Sequence, residues 1–129
     1  MALVKIYATL EKRNELIEEV SGSIKYISAA ALNIPEIPTV TSGVETVFAE
    51  GIDLVGIDYI LEIIAVERPN QQMIAESIIA GLNTVYPDKL FSVYFNNIRE
   101  VGMAHTPRQK EKGELLTMDE AIKRSKHEI

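Results

Sequence analysis

Four segments of the chain carry the hydrophobic pattern of β-strands. The first alternates, with Val4, Ile6 and Ala8 on one face, and the third is apolar on both faces, as expected in the centre of a covered sheet. The second and fourth are short runs rich in β-branched or aromatic residues. The four predicted strands are residues 3–10, 39–48, 59–66 and 90–95.

The hydrophobic period changes to that of a helix after the first and third strands. From Asn14 to about Ala31, apolar residues recur every three or four positions, and the sequence Asn33-Ile34-Pro35 ends the pattern. A second helix is predicted from Pro69, a favourable helix start, to near Tyr86. Its predicted buried stripe consists of Met73, Ile74, Ile78 and Leu82.

The two halves of the chain repeat one plan. Residues 10–14 (Leu-Glu-Lys-Arg-Asn) match residues 66–70 (Val-Glu-Arg-Pro-Asn), and each stretch joins a strand to a helix. Strand, junction, helix and strand recur in the same order, which indicates two β-α-β units over about 2–50 and 58–98. Because right-handed crossovers return across the same side, we expect an α+β fold with a four-stranded sheet and both helices on one face.

The other face of this sheet needs cover, and the chain has few elements left to supply it. Symmetric self-association is the natural solution, and we expect a homotrimer. Residues 1–104 form the predicted domain and residues 105–129 a C-terminal extension. Within the extension, Thr117-Met118-Asp119-Glu120 is a capping box that opens a short helix. That helix is expected to dock on its own domain or on a neighbour, with disorder as the alternative.

Composition narrows the possible functions. The chain has 129 residues, no cysteine and a net charge of −6, which excludes disulfides and thiol chemistry and fits a reducing cytoplasm. An acidic protein with 6% aromatic residues is not expected to bind nucleic acid. We expect no membrane span, because Glu62 and Glu67 interrupt the most apolar run, and no signal peptide, because the first residues lack a basic region followed by an apolar one. We expect no cofactor and no metal site, since Gly-rich phosphate loops and metal-ligand spacings are absent from the sequence.

The duplicated plan and the closing stretch 93–102 (Val-Tyr-Phe-Asn-Asn-Ile-Arg-Glu-Val-Gly) resemble the tautomerase superfamily, particularly its macrophage migration inhibitory factor branch. The resemblance covers roughly residues 2–103. A narrower one joins residues 48–51 (Phe-Ala-Glu-Gly), residues 61–63 (Leu-Glu-Ile) and Arg68, which are similar to an uncharacterised bacterial branch of that superfamily.

The resemblance implies a catalytic amine at the N-terminus. Family members typically use an N-terminal proline, exposed by removal of the initiator methionine, as general base in keto-enol isomerisation. Ala2 stands at that position here, and removal of Met1 would leave a primary amine, whose ordinary pKa is about 7.7–8.0. Such an amine can transfer protons or form a Schiff base with a carbonyl substrate.

The resemblance also implies cations that hold the carboxylate of a small oxoacid. Lys12 and Arg13 correspond to the arginine region of the 4-oxalocrotonate tautomerase branch, whereas Asn33 stands where the inhibitory-factor branch has a lysine. Arg68, at the equivalent junction of the second repeat, is a further candidate because guanidinium binds carboxylates in a bidentate manner. Asn97 completes the candidate substrate-binding residues, with capping the end of the fourth strand as its alternative role.

Each candidate also has a structural interpretation. Lys12, Arg13 and Arg68 are also typical of solvated charges at helix starts. Glu62, flanked by Leu61 and Ile63, is a candidate general acid or base, or else a carboxylate paired with Arg68 or a neighbouring subunit, because an isolated buried charge is costly.

Two functions therefore remain open. One is an isomerase of small 2-oxoacids that uses the Ala2 amine. The other is a non-catalytic homotrimer that binds a ligand or partner on the same fold.

Overall fold

The strands and helices follow the predicted order in the computed structural model, which describes residues 2–34, 43–51, 56–98 and 115–127. The strands are β1 (Ala2–Ala8), β2 (Val44–Glu50), β3 (Tyr59–Val66) and β4 (Phe91–Ile98). The helices are α1 (Ser21–Leu32), α2 (Gln71–Val85) and α3 (Met118–His127).

The sheet has the strand order β2-β1-β3-β4. β1 pairs with β2 in parallel and β3 pairs with β4 in parallel, while the central β1 and β3 are antiparallel. Each parallel pair with its intervening helix is one β-α-β unit, so the predicted α+β fold with two such units is confirmed. The third predicted strand has the observed bounds. The fourth extends to Ile98, and residues 39–42 of the second lie outside the described residues.

The two faces of the sheet differ in burial. On β1 and β3 every second side chain is buried and joins α1 and α2 in the hydrophobic core. The intervening side chains stay partly exposed and define what we call the open face. It consists of Leu3, Lys5 and Tyr7 of β1, Glu45, Val47 and Ala49 of β2, Ile60, Glu62, Ile64 and Val66 of β3, and Ser92, Tyr94, Asn96 and Ile98 of β4.

Helical backbone begins well before α1. A 3-10 turn (Leu10–Lys12), one α-helical turn (Arg13–Glu15) and a π-helical turn (Leu16–Val20) precede it. The Tyr86 hydroxyl donates to the Glu19 carbonyl at 2.7 Å, so a side chain takes up a carbonyl of the π-helical turn.

α1 ends where the sequence predicted. Asn33 adopts the left-handed conformation (φ 55°), its N–H donates to the Ala30 carbonyl, and the Ile34 N–H donates to the Ala29 carbonyl. This is a Schellman motif, in which Asn takes the position usually held by Gly.

α2 buries a narrower stripe than the sequence predicted. Ile78 and Leu82 are fully buried and Ile74 is partly buried, but Met73 is 66% exposed. The prediction that Met73 belongs to the buried stripe is wrong, because Met73 lies about 100° round the helix from Ile74. The helix begins at Gln71, after Asn70 in a left-handed conformation, rather than at Pro69.

α3 packs on α1 and α2 and forms a further layer. The N-cap half of its predicted capping box is formed, since the Glu120 N–H donates to Thr117 Oγ1 at 3.2 Å; the Glu120 carboxylate accepts from the Thr117 hydroxyl at 3.0 Å, where a full capping box uses the Thr117 backbone N–H. Ala121 and Ser125 are buried in this contact. Of the alternatives for this helix, docking on its own domain is therefore the one observed.

Candidate functional site

Ala2, the candidate base, is the first residue of β1 and its side chain is fully buried. The Ala2 nitrogen donates a hydrogen bond of 2.8 Å to the carbonyl of Gly43, immediately before β2. Gly43 has a φ of 106°, where a residue with a side chain would be strained. The start of β1 is thus held against the entry to β2.

Arg68 comes to the same end of the sheet as Ala2. β3 runs antiparallel to β1 and pairs Ile64 with Leu3, so the end of β3 lies beside the start of β1. Arg68 Nη1 donates to the Leu32 carbonyl at 3.0 Å, where a cation also suits the negative end of the α1 dipole. Its Nε is buried, and no residue of the described ranges accepts from it. The guanidinium is therefore anchored at the C-terminal end of α1.

Asn97 is exposed near the end of β4 and pairs in register with Ala65 of β3. Because β3 and β4 are parallel, Asn97 lies at the end of the sheet where β3 approaches Arg68. Three of the predicted site residues, Ala2, Arg68 and Asn97, are thus brought to one end of one chain.

Lys12 and Arg13 lie at the opposite end. They follow the last residue of β1, so the length of that seven-residue strand, about 20 Å, separates them from Ala2. Lys12 forms an ion pair with Asp58, and Arg13 lies 5.7 Å from the centre of the Phe48 ring. Within this chain the two cations therefore lie far from the Ala2 nitrogen.

An ion-pair network at the Lys12 end joins the first helical turns to the second β-α-β unit. Lys89 pairs with Glu15, and the Tyr59 hydroxyl donates to Glu15 Oε1 at 2.9 Å. The hydrogen bond from Lys89 lowers the pKa of Glu15, whereas burial and the Glu15 bond raise the pKa of Tyr59 well above its usual value. The partly buried Glu15 carboxylate thus links the helical turns before α1 to Tyr59 at the start of β3 and to Lys89 before β4.

Glu62 lies on the open face, with both carboxylate oxygens hydrogen bonded. The Tyr7 hydroxyl donates to Oε1 at 3.0 Å and Asn96 Nδ2 donates to Oε2 at 3.4 Å. Partial desolvation and a hydrogen bond with Glu62 raise the pKa of Tyr94 to about 12. Glu62 is paired, as expected, but Arg68, one of the two partners considered for it, is not the partner observed, because the Glu62 side chain lies on the open face.

Tyr7, Tyr94 and Asn96 were not recognised as site residues in the sequence. Their one signal is position on the strands beside β3: Tyr94 lies directly opposite Glu62, and Tyr7 and Asn96 lie two residues from the positions opposite Glu62, all on the same face of the sheet. That signal becomes usable only when the strand register is known. Within the described residues, no group of three or more His, Cys, Asp or Glu side chains is placed to hold a metal ion. No helix in those ranges has the length and hydropathy needed to cross a membrane.

No protein-family model matches this chain, and no curated protein is similar to it in sequence. Among solved structures, it is similar to malonate semialdehyde decarboxylase, a tautomerase superfamily member, whose wild-type, mutant and inactivated forms were described as a structural basis for decarboxylase and hydratase activities. The TM-score is 0.44 at 11% sequence identity, and the match covers 81% of this chain and 92% of that chain. Those activities belong to that protein.

Proposed function

We propose that this chain is a tautomerase-like protein that binds a small carboxylate of the 2-oxoacid class where β1 begins and β3 ends. The observation that carries the proposal is the placement of Ala2 and Arg68 at the same end of the sheet. Arg68 is anchored to Leu32 and keeps a buried N–H that no described residue accepts. A guanidinium held in this way suits a carboxylate in both charge and shape.

The chemistry would come from the Ala2 nitrogen after removal of Met1. A hydrogen bond to the Gly43 carbonyl would orient the amine and leave its lone pair available. The neutral amine would accept a proton from the carbon beside the carbonyl of a bound 2-oxoacid, and return of the proton to the carbonyl oxygen would give the enol. Burial lowers the pKa of an amine, which favours the neutral form at pH 7.

We further propose that the protein works as a homotrimer assembled through the open face. This face retains large apolar side chains with substantial exposure, including Val66 at 38% and Ile98 at 44%. Burying such side chains against sister chains is favourable by about 25 cal/mol for each Å² of apolar surface removed from water.

The N-terminal amine gives the first test. Mass spectrometry of the purified protein should show that Met1 is absent, and the protein should accelerate ketonisation of enol-phenylpyruvate. A variant with one extra residue before Ala2 is expected to lose about 100-fold or more of that rate, because it lacks the amine at the start of β1. Equal rates for the two proteins would contradict the catalytic proposal.

Arginine variants test the binding site independently of turnover. Arg68→Met is expected to raise the Kd for phenylpyruvate about 10-fold or more, and Arg68→Lys less, since the charge remains. Circular dichroism must show both folded, because Arg68 also bonds Leu32. Arg13→Met, the matched loss at the opposite end, should leave the Kd unchanged. An equal loss in Arg13→Met would mean that a neighbouring chain completes the site.

A second candidate function is a non-catalytic homotrimer that binds a ligand or partner. It is favoured by the ion pair that holds Lys12 to Asp58 and by the distance of Lys12 and Arg13 from Ala2, which leave the amine with fewer cations than the family resemblance implies. Thermal stabilisation by phenylpyruvate without turnover would support this candidate. Turnover that disappears when the N-terminal amine is blocked would reject it.

A further inference from the structure

The open face is close to balanced in charge although the chain as a whole is acidic. Its charged side chains are Lys5, Glu45 and Glu62, so the face carries a net charge of one negative, against −6 for the chain. Two copies of this face would therefore repel each other little, and specific placement of its charges decides how they fit.

Glu62 needs no partner from another chain. Tyr7 and Asn96 already donate to its two oxygens. A carboxylate that is hydrogen bonded within its own chain can be covered by a neighbour with a smaller desolvation penalty than a bare one.

Lys5 has no charged partner among the described residues. It lies opposite Glu62 in the register of β1 and β3, yet within the described residues its ammonium makes no ion pair and lies 5.8 Å from the centre of the Tyr7 ring. Glu45 is exposed on the same face, two residues along β2 from Val47, the register partner of Lys5. Covering this face would bury an ammonium and a carboxylate that both lack an ion-pair partner in the described part of their own chain.

The size of the face suits self-association. Four strands about 4.8 Å apart and seven to eight residues long give a plane on the order of 500 Å², which side-chain relief enlarges. Stable interfaces bury about 800 Å² on each partner, so a large part of that area is available from this face.

We propose that Lys5 of one copy pairs with Glu45 of another copy and sets the register of sheet-to-sheet packing. The inference rests on the self-association in the proposed function and names the ionic contact that directs it. Complementary charges at such a contact fix orientation and disfavour misaligned packing, which the apolar side chains around them cannot do.

Charge reversal tests this pair. Lys5→Glu and Glu45→Lys are each expected to weaken self-association about 10-fold or more, because like charges then face each other, as measured by sedimentation equilibrium. Lys123→Glu and Glu18→Lys, exposed reversals on helical elements with the same changes in net charge, should associate like the wild type. Circular dichroism and thermal melts establish that all four variants are folded.

Mixing the two variants separates contact between chains from contact within one chain. In an equimolar mixture, the carboxylate introduced by Lys5→Glu in one chain meets the ammonium introduced by Glu45→Lys in the other. A mixed trimer then has two oppositely charged contacts and one like-charged contact, whereas a trimer of either variant alone has three like-charged contacts, so mixed assemblies should form at concentrations where neither variant assembles alone. Neither chain carries opposite charges at the two positions, so an intrachain pair cannot explain such rescue. Failure of the mixture, with the wild type still associated, overturns the Lys5–Glu45 contact alone; a monomeric wild type overturns the proposed assembly as well.

Discussion

Three tyrosine hydroxyls connect parts of the chain that are far apart in sequence. Tyr7, Tyr59 and Tyr86 donate to acceptors 55, 44 and 67 residues away. Tyr59 and Tyr86 are buried in the core, so these bonds satisfy hydroxyls whose rings are removed from water, whereas Tyr7 is half-buried on the open face. Two of these acceptors are the carboxylates of Glu62 and Glu15. Each also accepts from a second side chain, Asn96 for Glu62 and Lys89 for Glu15.

Glu15 should make stability depend on pH in the acid range. Its pKa is lowered in the folded protein, mainly by Lys89, so its contribution is fully present above pH 4.5 and lost as the pH falls through the folded pKa. Because the pair is partly exposed and screened, Glu15→Gln should cost only about 0.5–1 kcal/mol at pH 7 in urea unfolding. The difference from wild type should shrink below pH 4.5.

Glu18→Gln provides the control for that series, since Glu18 is exposed on the same helical segment. It should follow the wild-type pH profile. A Glu15→Gln deficit that stays constant from about pH 7 to about pH 3 would show that Glu15 acts through packing rather than through its charge.

At this scale the sequence predicts that a polar group needs a partner but not which partner it finds. Glu62 had to be paired because its neighbours along the strand are apolar, and it is paired. Its partners, Tyr7 and Asn96, depend on the register of β1 and β4 against β3, which no local pattern encodes. The Glu15 network was not predicted for the same reason, since its members lie in three separate segments.

α3 lies outside the two β-α-β units and packs against them at Gly81 of α2. At Gly81 in α2, a Cβ atom would lie 3.0 Å from Ile27 Cγ2 and 3.0 Å from Met118 Sδ. Gly81 therefore lies at a point where α1, α2 and α3 are in close contact. The absence of a side chain there allows Met118 of α3 to pack against both helices.

Gly81→Ala should therefore destabilise the protein although alanine is the better helix former. The added methyl must displace Ile27 or Met118, and overpacking of this kind costs about 1–3 kcal/mol, against about 1 kcal/mol gained in helix propensity. The net loss expected in urea unfolding is about 1 kcal/mol. In a Met118→Ala background, the same substitution should cost less, because one of the two close contacts is gone.

Asn83→Ala is the matched control, an exposed position two residues further along α2, where alanine should be neutral or slightly stabilising. A Gly81→Ala protein more stable than wild type would show that α3 does not depend on this contact.

Element type was predictable because each element has its own period. The third strand, apolar on both faces apart from Glu62, and the Asn33 terminus of α1 were predicted where they occur. The error at Met73 arose because a cluster of adjacent apolar residues does not say which of them faces the core; packing against α1 and the sheet decides that. The capping box of α3 was readable because its hydrogen bonds are local.

At the scale of the whole molecule, the sheet is covered by helices on one side and those helices are covered by α3. The duplication that the sequence predicts accounts for the strand order and for both crossovers. It also places Ala2 and Arg68 at one end of the sheet and Lys12 and Arg13 at the other. The two strand-to-helix junctions lie at opposite ends of the sheet because β1 and β3 are antiparallel. The repeat in the sequence does not give the relative direction of the two units, so it does not predict this division.

The central claim is that sister chains cover the open face, and the mass of the protein in solution tests it most directly. Sedimentation equilibrium of the wild-type protein at micromolar concentration and moderate salt should give three times the mass of one chain. A single species with the mass of one chain, unchanged as concentration rises, would contradict the claim.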